Sequence, residues 1–299
     1  MKTLYIDHHF IARETKGQPT NRQLLTELLA DDPDWRLAAS ESNLLEIAFD
    51  GDKARALRRA QFLDSLHPVW MMERLDIQKH EVRAFLWGNH FRVAAEPLSP
   101  FRKHLSEVMS YHTRPIIGAG AATWIRAIDP TEIAEAKRLT VQSLTILQAA
   151  SKQQKRQIEA VTFRAWVYPK IPIRDPAGAL MSKAQKDKLA ALCYASRDQF
   201  FRECPAIAVE HYICEARTRD PNRVPEEADA IDLQHGVLGL SYCDSFVTGD
   251  RYSYSTATHA IKSLPLLKLA TPYRKLEEAP INHTPAPPST AVIYPTARA

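Results

Sequence analysis

Near the start of the chain, Ile6-Asp7-His8-His9-Phe10 sets one carboxylate and two imidazoles at the end of a short apolar run, Thr3-Leu4-Tyr5-Ile6. Both side-chain types bind divalent metals, and a metal held there would activate water for hydrolysis. Three readings compete: a metal-binding Asp-His-His signature, the first acid of a differently built nuclease site, and an ordinary turn after a strand. Three more acids belong to the same question. Glu46 follows Ser40 in an apolar, helical stretch, Asp232 sits in another, and Asp250 closes the run Asp244-Ser245-Phe246-Val247-Thr248-Gly249-Asp250. Four clustered carboxylates repel one another, so without a cation some take up protons instead. Mg²⁺ or Mn²⁺ resolves that repulsion, because hard cations prefer oxygen ligands. Such an ion supports attack of water on a phosphodiester and stabilises the leaving oxyanion.

The elements that position these acids can be read from periodicity. Thr3–Ile6, Trp35–Ala39 and Asp244–Thr248 have the short apolar pattern of buried strands, and Pro265–Leu269 reads as a last one. Helices are expected over Asn21–Ala30, from a Ser40 cap through Ala48, over Asp52–Leu66 and over Ile77–Trp87, with His67-Pro68-Val69-Trp70 as a break. From Pro97 to Asn222 the pattern is helical without strands: Pro130–Arg156, Ala177–Cys204 and Ala206–Arg217. Pro225 opens a helix through Leu240, and Thr256–Ser263 is a short one. Strand–helix alternation at both ends implies an α/β fold with a parallel sheet, interrupted by a helical insertion. The divisions are 1–90, an insertion over 91–224, 225–276, and a Pro-, Thr- and Ala-rich tail over 277–299 expected to be disordered. In an open parallel sheet ligands bind beyond the carboxyl ends of the strands. Asp7 and Asp250 each follow a strand, so with Glu46 and Asp232 they are expected to converge on one edge.

Composition narrows the function classes. In 299 residues no apolar run approaches the roughly 18 needed to span a membrane, so no membrane partner is expected. The first ten residues hold an aspartate and two histidines, unlike a signal peptide. Cys193, Cys204, Cys214 and Cys243 form no CxxC pair, which points to a reducing cytoplasm and away from a zinc site. There is no GxGxxG, Walker or GxSxG motif. From Phe91 to Pro225 there are 21 Lys and Arg against 13 Asp and Glu, leaving 18 of the 39 basic and 22 of the 35 acidic residues elsewhere. A basic middle with acidic ends suits a protein that gathers an anion in one region and a cation in another. Lys152, Lys155, Arg156 and Arg164 could track a phosphate backbone, with Trp166 and Tyr168 stacking bases.

The stretch DAIDLQHGVLGLSYCDSFVTGDR resembles the last active-site segment of PIN-domain nucleases, in which an acid opens a helix that leads to a strand ending in Thr-x-Asp. Thr248-Gly249-Asp250 matches that ending, and Asp232 matches the helix acid, with Asp229 as the near alternative. LYIDHHF resembles the family's opening strand, its acid falling on Asp7. LAASESNLLEIA resembles the second motif, with Ser40 and Glu46, and LPLLKLATPYRKL the final strand. The resemblance covers roughly Met1–Trp87 and Pro225–Leu276. It implies an α/β/α sandwich and a divalent-metal-dependent nuclease acting on single-stranded or structured RNA. Many bacterial members are toxins of toxin–antitoxin pairs, so RNA and an antitoxin protein are the implied partners; a homodimer is left open. By the resemblance, Asp7, Glu46, Asp232 and Asp250 hold Mg²⁺ or Mn²⁺ and its water. Thr248 or Ser40 supplies a hydroxyl that orients a carboxylate, and Asp244 supports the site from the base of its strand.

One departure stands out. The family carries small residues after the first acid, where this chain has His8 and His9. His9 is expected to brace the acidic cluster, to favour Mn²⁺, or to mark a site that has lost activity, and His8 is expected to lie on the surface. The pair also resembles the DHH phosphoesterases, but there the motif follows an earlier Asp-x-Asp, which residues 1–6 lack. Two function classes follow: an active metal-dependent ribonuclease, and a catalytically weak PIN-like module that binds nucleic acid or protein.

Overall fold

Leu4, Tyr5 and Ile6 are all buried although alternate residues of a strand point to opposite faces. A strand buried on both sides belongs at the centre of a covered sheet. That is where β1 (Lys2–Ile6) lies in the computed structural model, which describes residues 2–15, 25–26, 29–30, 32, 34–108, 120–128, 131, 134–135, 138, 141–142, 145, 158–218 and 226–280. Parallel β2 (Trp35–Ala39) flanks it on one side with Leu4 opposite Leu37, and parallel β5 (Ser245–Val247) on the other with Tyr5 opposite Phe246. Among the described residues the sheet has six strands in the order β4-β3-β2-β1-β5-β6. β3 (Val69–Met71) and β6 (Thr271–Tyr273) extend it in parallel, and β4 (Phe101–Arg102) pairs antiparallel with β3. The sheet is therefore mostly parallel, with one antiparallel edge strand that the helical reading of 97–222 did not foresee.

Helices cover both faces. Leu4, Ile6, Leu37, Ala39, Trp70 and Val247 pack against α1 (His8–Thr15), α2 (Glu41–Ala48), α3 (Lys53–Ser65) and α5 (Ala121–Ala127). Tyr5, Ala38, Met71 and Phe246 face α4 (Arg74–Leu86), α6 (Ile158–Val167), α7 (Lys183–Ala195), α8 (Arg197–Glu203), α9 (Pro205–Thr218), α10 (Glu227–Tyr242) and α11 (Arg251–Ser263). The stretch 91–224 thus supplies α5 to one face and α6–α9 to the other, and its apolar residues join the same two cores as the sheet. α10 lies close on β1 and β5 because residue 239 is glycine: a Cβ there would meet Phe246 Cδ2 at 2.6 Å.

Local chemistry explains the ends that matter for the site. The Ser40 N–H donates to Asn43 Oδ1 at 2.9 Å at the start of α2, and Asn43 Nδ2 donates to the Ile6 carbonyl at 3.0 Å, tying that helix to the end of β1. The run His67-Pro68-Val69-Trp70 does end α3, with His67 in the left-handed region (φ 48°), but Val69–Met71 continues into β3. Ala177–Cys204 is divided at Ser196 into α7 and α8. Pro265–Leu269 is not a strand: Leu266 is 77% exposed, and the pairing falls on β6. Pro272 lacks an N–H yet sits in β6 because that is an edge strand. The expected tail begins too early at 277, since Ala279 is 2% exposed and packs in the core beside α3 and α5. The expected helices Asn21–Ala30 and Pro130–Arg156 fall largely outside the described residues.

Candidate functional site

Strand order reverses direction at β1: β2, β3 and β4 lie to one side of it, β5 and β6 to the other. Such a switch point opens a crevice at the carboxyl ends of the central strands, here β1 and β5. Asp7 is the first residue past β1. Its N–H extends the ladder to the Val247 carbonyl at 3.0 Å. Its carboxylate is held by backbone: Oδ1 accepts the His9 N–H at 2.9 Å and Oδ2 the Gly249 N–H at 3.0 Å. The buried Thr248 hydroxyl also bonds Asp7, and it accepts the Asp250 N–H at 3.2 Å. Asp250 then caps α11, its Oδ1 accepting the Ser253 N–H at 2.6 Å. Thr-Gly-Asp is therefore one unit in which the hydroxyl orients the first acid and the last acid starts a helix. Glycine is required between them, because a Cβ at Gly249 would lie 2.2 Å from His9 Cδ2.

Glu46 and Asp232 reach the same crevice from α2 and α10. His235 Nε2 meets Glu46 Oε2 at 2.8 Å, and the His8 N–H donates to the same carboxylate. His235 Nδ1 bonds the Tyr5 hydroxyl at 2.7 Å, and that hydroxyl bonds Ser40 Oγ at 2.6 Å. Ser40 thus acts on Glu46 at two removes, through Tyr5 and His235. Ser42 Oγ donates to Gln234 Oε1 at 3.0 Å, a second tie between α2 and α10.

Asp7, Glu46 and Asp232 are not electrostatically alike. Burial pushes Asp7 up to about 6, Glu46 adding to the effect, while Thr248 and His235 oppose it. Burial likewise lifts Asp232 to about 6, with Glu46 and Asp250 raising it and Arg217 and His235 holding it down. For Asp7, a rise from 3.8 to about 6 makes the ionised form about 3 kcal/mol less favourable than in water. Burial would raise Glu46 too, but the charge and hydrogen bond of His235 hold it below the usual range. His235 in turn is kept above the ordinary imidazole value: burial would depress it, yet Glu46, Asp7 and Asp232 outweigh that. The Glu46 carboxylate only accepts, so the His235 Nε2–H donates to it, while in the Nδ1–Tyr5 and Tyr5–Ser40 bonds either partner can donate.

His8 and His9 open α1 and go separate ways. His8, expected on the surface, is half-buried; its Nε2 lies 3.1 Å from Arg59 Nη1. Burial lowers it to about 4, so it is neutral and accepts from the guanidinium. His9 is exposed, its ring lies against Gly249, and its backbone N–H braces Asp7. Asp7, His8 and His9 do not act as one ligand triad.

Other expected residues lie elsewhere. Asp244 is at the opposite, amino edge of the sheet, where Oδ2 accepts the Thr3 N–H at 2.8 Å and its hydroxyl at 3.2 Å. It clamps β1 to β5 and does not support the crevice. Asp229 is buried and committed to Arg217, whose Nη1 lies 2.6 Å from Oδ1, and to the Glu226 N–H at 2.8 Å. Of the two α10 aspartates, Asp232 is the one not bonded to the Glu226 N–H, with Arg217 Nη2 at 4.0 Å. Arg164 is exposed on α6, while Lys152, Lys155 and Arg156 lie outside the described residues. Trp166 is not a free stacking surface: its Nε1 donates to Glu210 at 3.2 Å and Lys170 covers its ring. Tyr5 and Arg217 were missed. Nothing in the spacing near Tyr5 points to a partner 230 residues away.

Among the described residues no three His, Cys, Asp or Glu side chains form a ready metal-holding group. The donor set nevertheless fits a hydrated hard cation. Mg²⁺ keeps several waters and needs only one or two carboxylates directly. Asp7 accepts two N–H groups and the Thr248 hydroxyl, three of the roughly four bonds a carboxylate can take, and so retains some acceptor capacity. All four cysteines are free, and no described helix is long and apolar enough to cross a membrane. Compared with known proteins, the chain matches no family model, no curated protein and no solved structure.

Proposed function

We propose that this chain is a divalent-metal-dependent nuclease of PIN-like build, an endoribonuclease that hydrolyses phosphodiesters. One observation carries the reading. Asp7, Glu46, Asp232 and Asp250, from four elements, surround the crevice at the switch point of the sheet, where two of them are pushed up to about 6. A surplus of carboxylates at a ligand-binding edge, with Asp7 buried, Glu46 and Asp232 half-buried and Asp250 exposed, favours a cation. Asp7, Glu46, Asp232 and Asp250 would hold Mg²⁺ or Mn²⁺, directly or through water. The ion supplies a more acidic bound water and a partner for the leaving oxyanion. The chain's own residues do the positioning. Thr248 and the Gly249 and His9 N–H groups fix the Asp7 carboxylate, His235 and the His8 N–H fix Glu46, and Arg217 tempers the charge on Asp232.

The family resemblance adds RNA as substrate and an antitoxin protein as partner. A second reading, a catalytically weak PIN-like binding module, is favoured by Glu46 being turned onto His235 rather than left open. The test is cleavage of a labelled mixed RNA pool with Mn²⁺, Mg²⁺ or EDTA, comparing wild type, Asp7→Asn and Asp244→Asn. We expect metal-dependent cuts that vanish in Asp7→Asn and persist in Asp244→Asn. Folded wild type that cuts with neither ion would leave the binding module.

A further inference from the structure

The hydrogen-bonded chain from Ser40 through Tyr5 and His235 to Glu46 has no solvent-facing member until it reaches the acid. Ser40 and His235 are each 1% exposed and Tyr5 is fully buried, whereas the Glu46 side chain is 22% exposed at the crevice. The three contacts are short, at 2.6, 2.7 and 2.8 Å, and use both nitrogens of the imidazole. The two middle links come from β1 and α10, while Ser40 caps α2 and Glu46 lies further along the same helix. An apolar core would pack as well at this place without the desolvation of three polar side chains. What an apolar core could not do is hold one carboxylate in a single orientation.

We infer that Tyr5 and His235 are positioning residues that aim Glu46 at the cation site, with Ser40 anchoring the far end. This rests on the metal-dependent reading of the crevice and specifies how one of its acids is set. The His8 N–H supplies a second, rigid donor to Glu46, so the carboxylate is held by two groups, one from the start of α1 and one from α10. Burying these contacts at the seam between α2 and α10 makes the orientation of Glu46 depend on β1 being seated between β2 and β5.

The test separates aiming from mere stability. Variants are Tyr5→Phe, His235→Gln, Glu46→Gln and the double variant Tyr5→Phe with Glu46→Gln. Tyr5→Phe retains the ring and its packing. The first readout needs no cleavage: Mn²⁺ alone is titrated into each protein and free ion is followed by electron paramagnetic resonance. Removing the outer partner of a metal ligand weakens the metal roughly 10- to 100-fold. We expect a loss of that size in His235→Gln, a smaller but measurable loss in Tyr5→Phe, and no further loss when Tyr5→Phe is added to Glu46→Gln. The second readout is cleavage of a short fluorogenic RNA, where kcat should fall in Tyr5→Phe with KM within about two-fold of wild type, again with no further fall in the double variant.

Unchanged Mn²⁺ affinity in folded Tyr5→Phe overturns the inference, as do losses that multiply in the double variant, the signature of general loosening. Wild type that binds Mn²⁺ in the expected pattern and cuts no RNA keeps the positioning role and fails the nuclease reading. Metal-dependent RNA cleavage that is equal in wild type and Tyr5→Phe does the reverse. Wild type that neither binds Mn²⁺ nor cuts overturns both.

Discussion

Replacing Glu210 by glutamine should unfasten α9 from the face of the sheet it covers. Glu210 is buried on α9, and its Oε2 accepts from Arg74 Nη1 at 2.6 Å and from Gln78 Nε2 on α4. Its Oε1 accepts from Trp166 Nε1 at 3.2 Å on α6, and Lys170 lies near enough to add its charge. Burial alone would raise this acid, but Arg74 and Lys170, with the Gln78 and Arg74 hydrogen bonds, bring it down to about 2. Against the ordinary value of 4.5, that depression corresponds to about 3 kcal/mol of stability. Breaking one side of a buried ion pair independently costs about 3–5 kcal/mol. Because the folded value is depressed, the contribution is present above 4.5 and lost as pH falls from 4.5 towards 2. Urea unfolding followed by circular dichroism should therefore show Glu210→Gln about 3 kcal/mol less stable at pH 7. The gap should narrow as pH falls below 4.5. Burial already holds Lys170 down to about 8, so adding Lys170→Met to the variant should recover part of the loss by removing an uncompensated ammonium. A gap under about 1 kcal/mol at pH 7, or one indifferent to pH, would refute the argument, since a buried ion pair predicts both.

Glu81 should behave in the opposite sense. Burial pushes it up to about 7 although it caps α9 through the Ala206 and Ile207 N–H groups and takes the Tyr242 hydroxyl. A raised acid contributes fully below 4.5 and loses that contribution as pH climbs through 7, so wild type should melt lower at pH 8 than at pH 5. Glu81→Gln should flatten that slope in thermal melts. Asp244→Ala leaves the Thr3 N–H without its acceptor and should lower stability by about 1–3 kcal/mol, with kcat for RNA cleavage unchanged. Gly249→Ala puts a methyl group against the His9 ring, and should lower both stability, by about 1–3 kcal/mol, and cleavage, because the N–H that holds Asp7 moves with it.

Much of the site was legible because its acids sit at positions that local chemistry marks. Asp7 ends an apolar strand, Ser40 starts a helix, and Thr248-Gly249-Asp250 joins a strand to a capped helix. Their partners were not legible. Tyr5 reads as one more buried strand residue, and only the register of β1 against β2 and α10 brings its hydroxyl to Ser40 and His235. Asp244 and Asp229 show the converse: each is the right residue type near the right motif, and each is taken by a structural partner, Thr3 or Arg217. In the fold, the long apolar run Pro265–Leu269 outweighed the short Thr271–Tyr273, yet pairing with β5 went to the latter because Thr248 N–H needs the Tyr273 carbonyl, at 3.0 Å. β3 and β4 span only three and two residues, so their existence depends on the neighbour that pairs with them.

The clamp between Thr3 and Asp244 joins positions 241 residues apart. At ribosomal speeds of about 5–20 residues per second, β5 follows β1 by on the order of 10–50 s. Throughout that interval the first strand has one edge without its partner, and Asp7 lacks the Gly249 N–H that steadies it. An incomplete chain therefore carries half a crevice and no Thr-Gly-Asp unit. If the crevice cuts RNA, the growing polypeptide has no competent blade near its own message until synthesis has passed residue 250. The same delay leaves an apolar strand edge open to other chains, so slower translation of the middle of the gene should favour aggregation over folding.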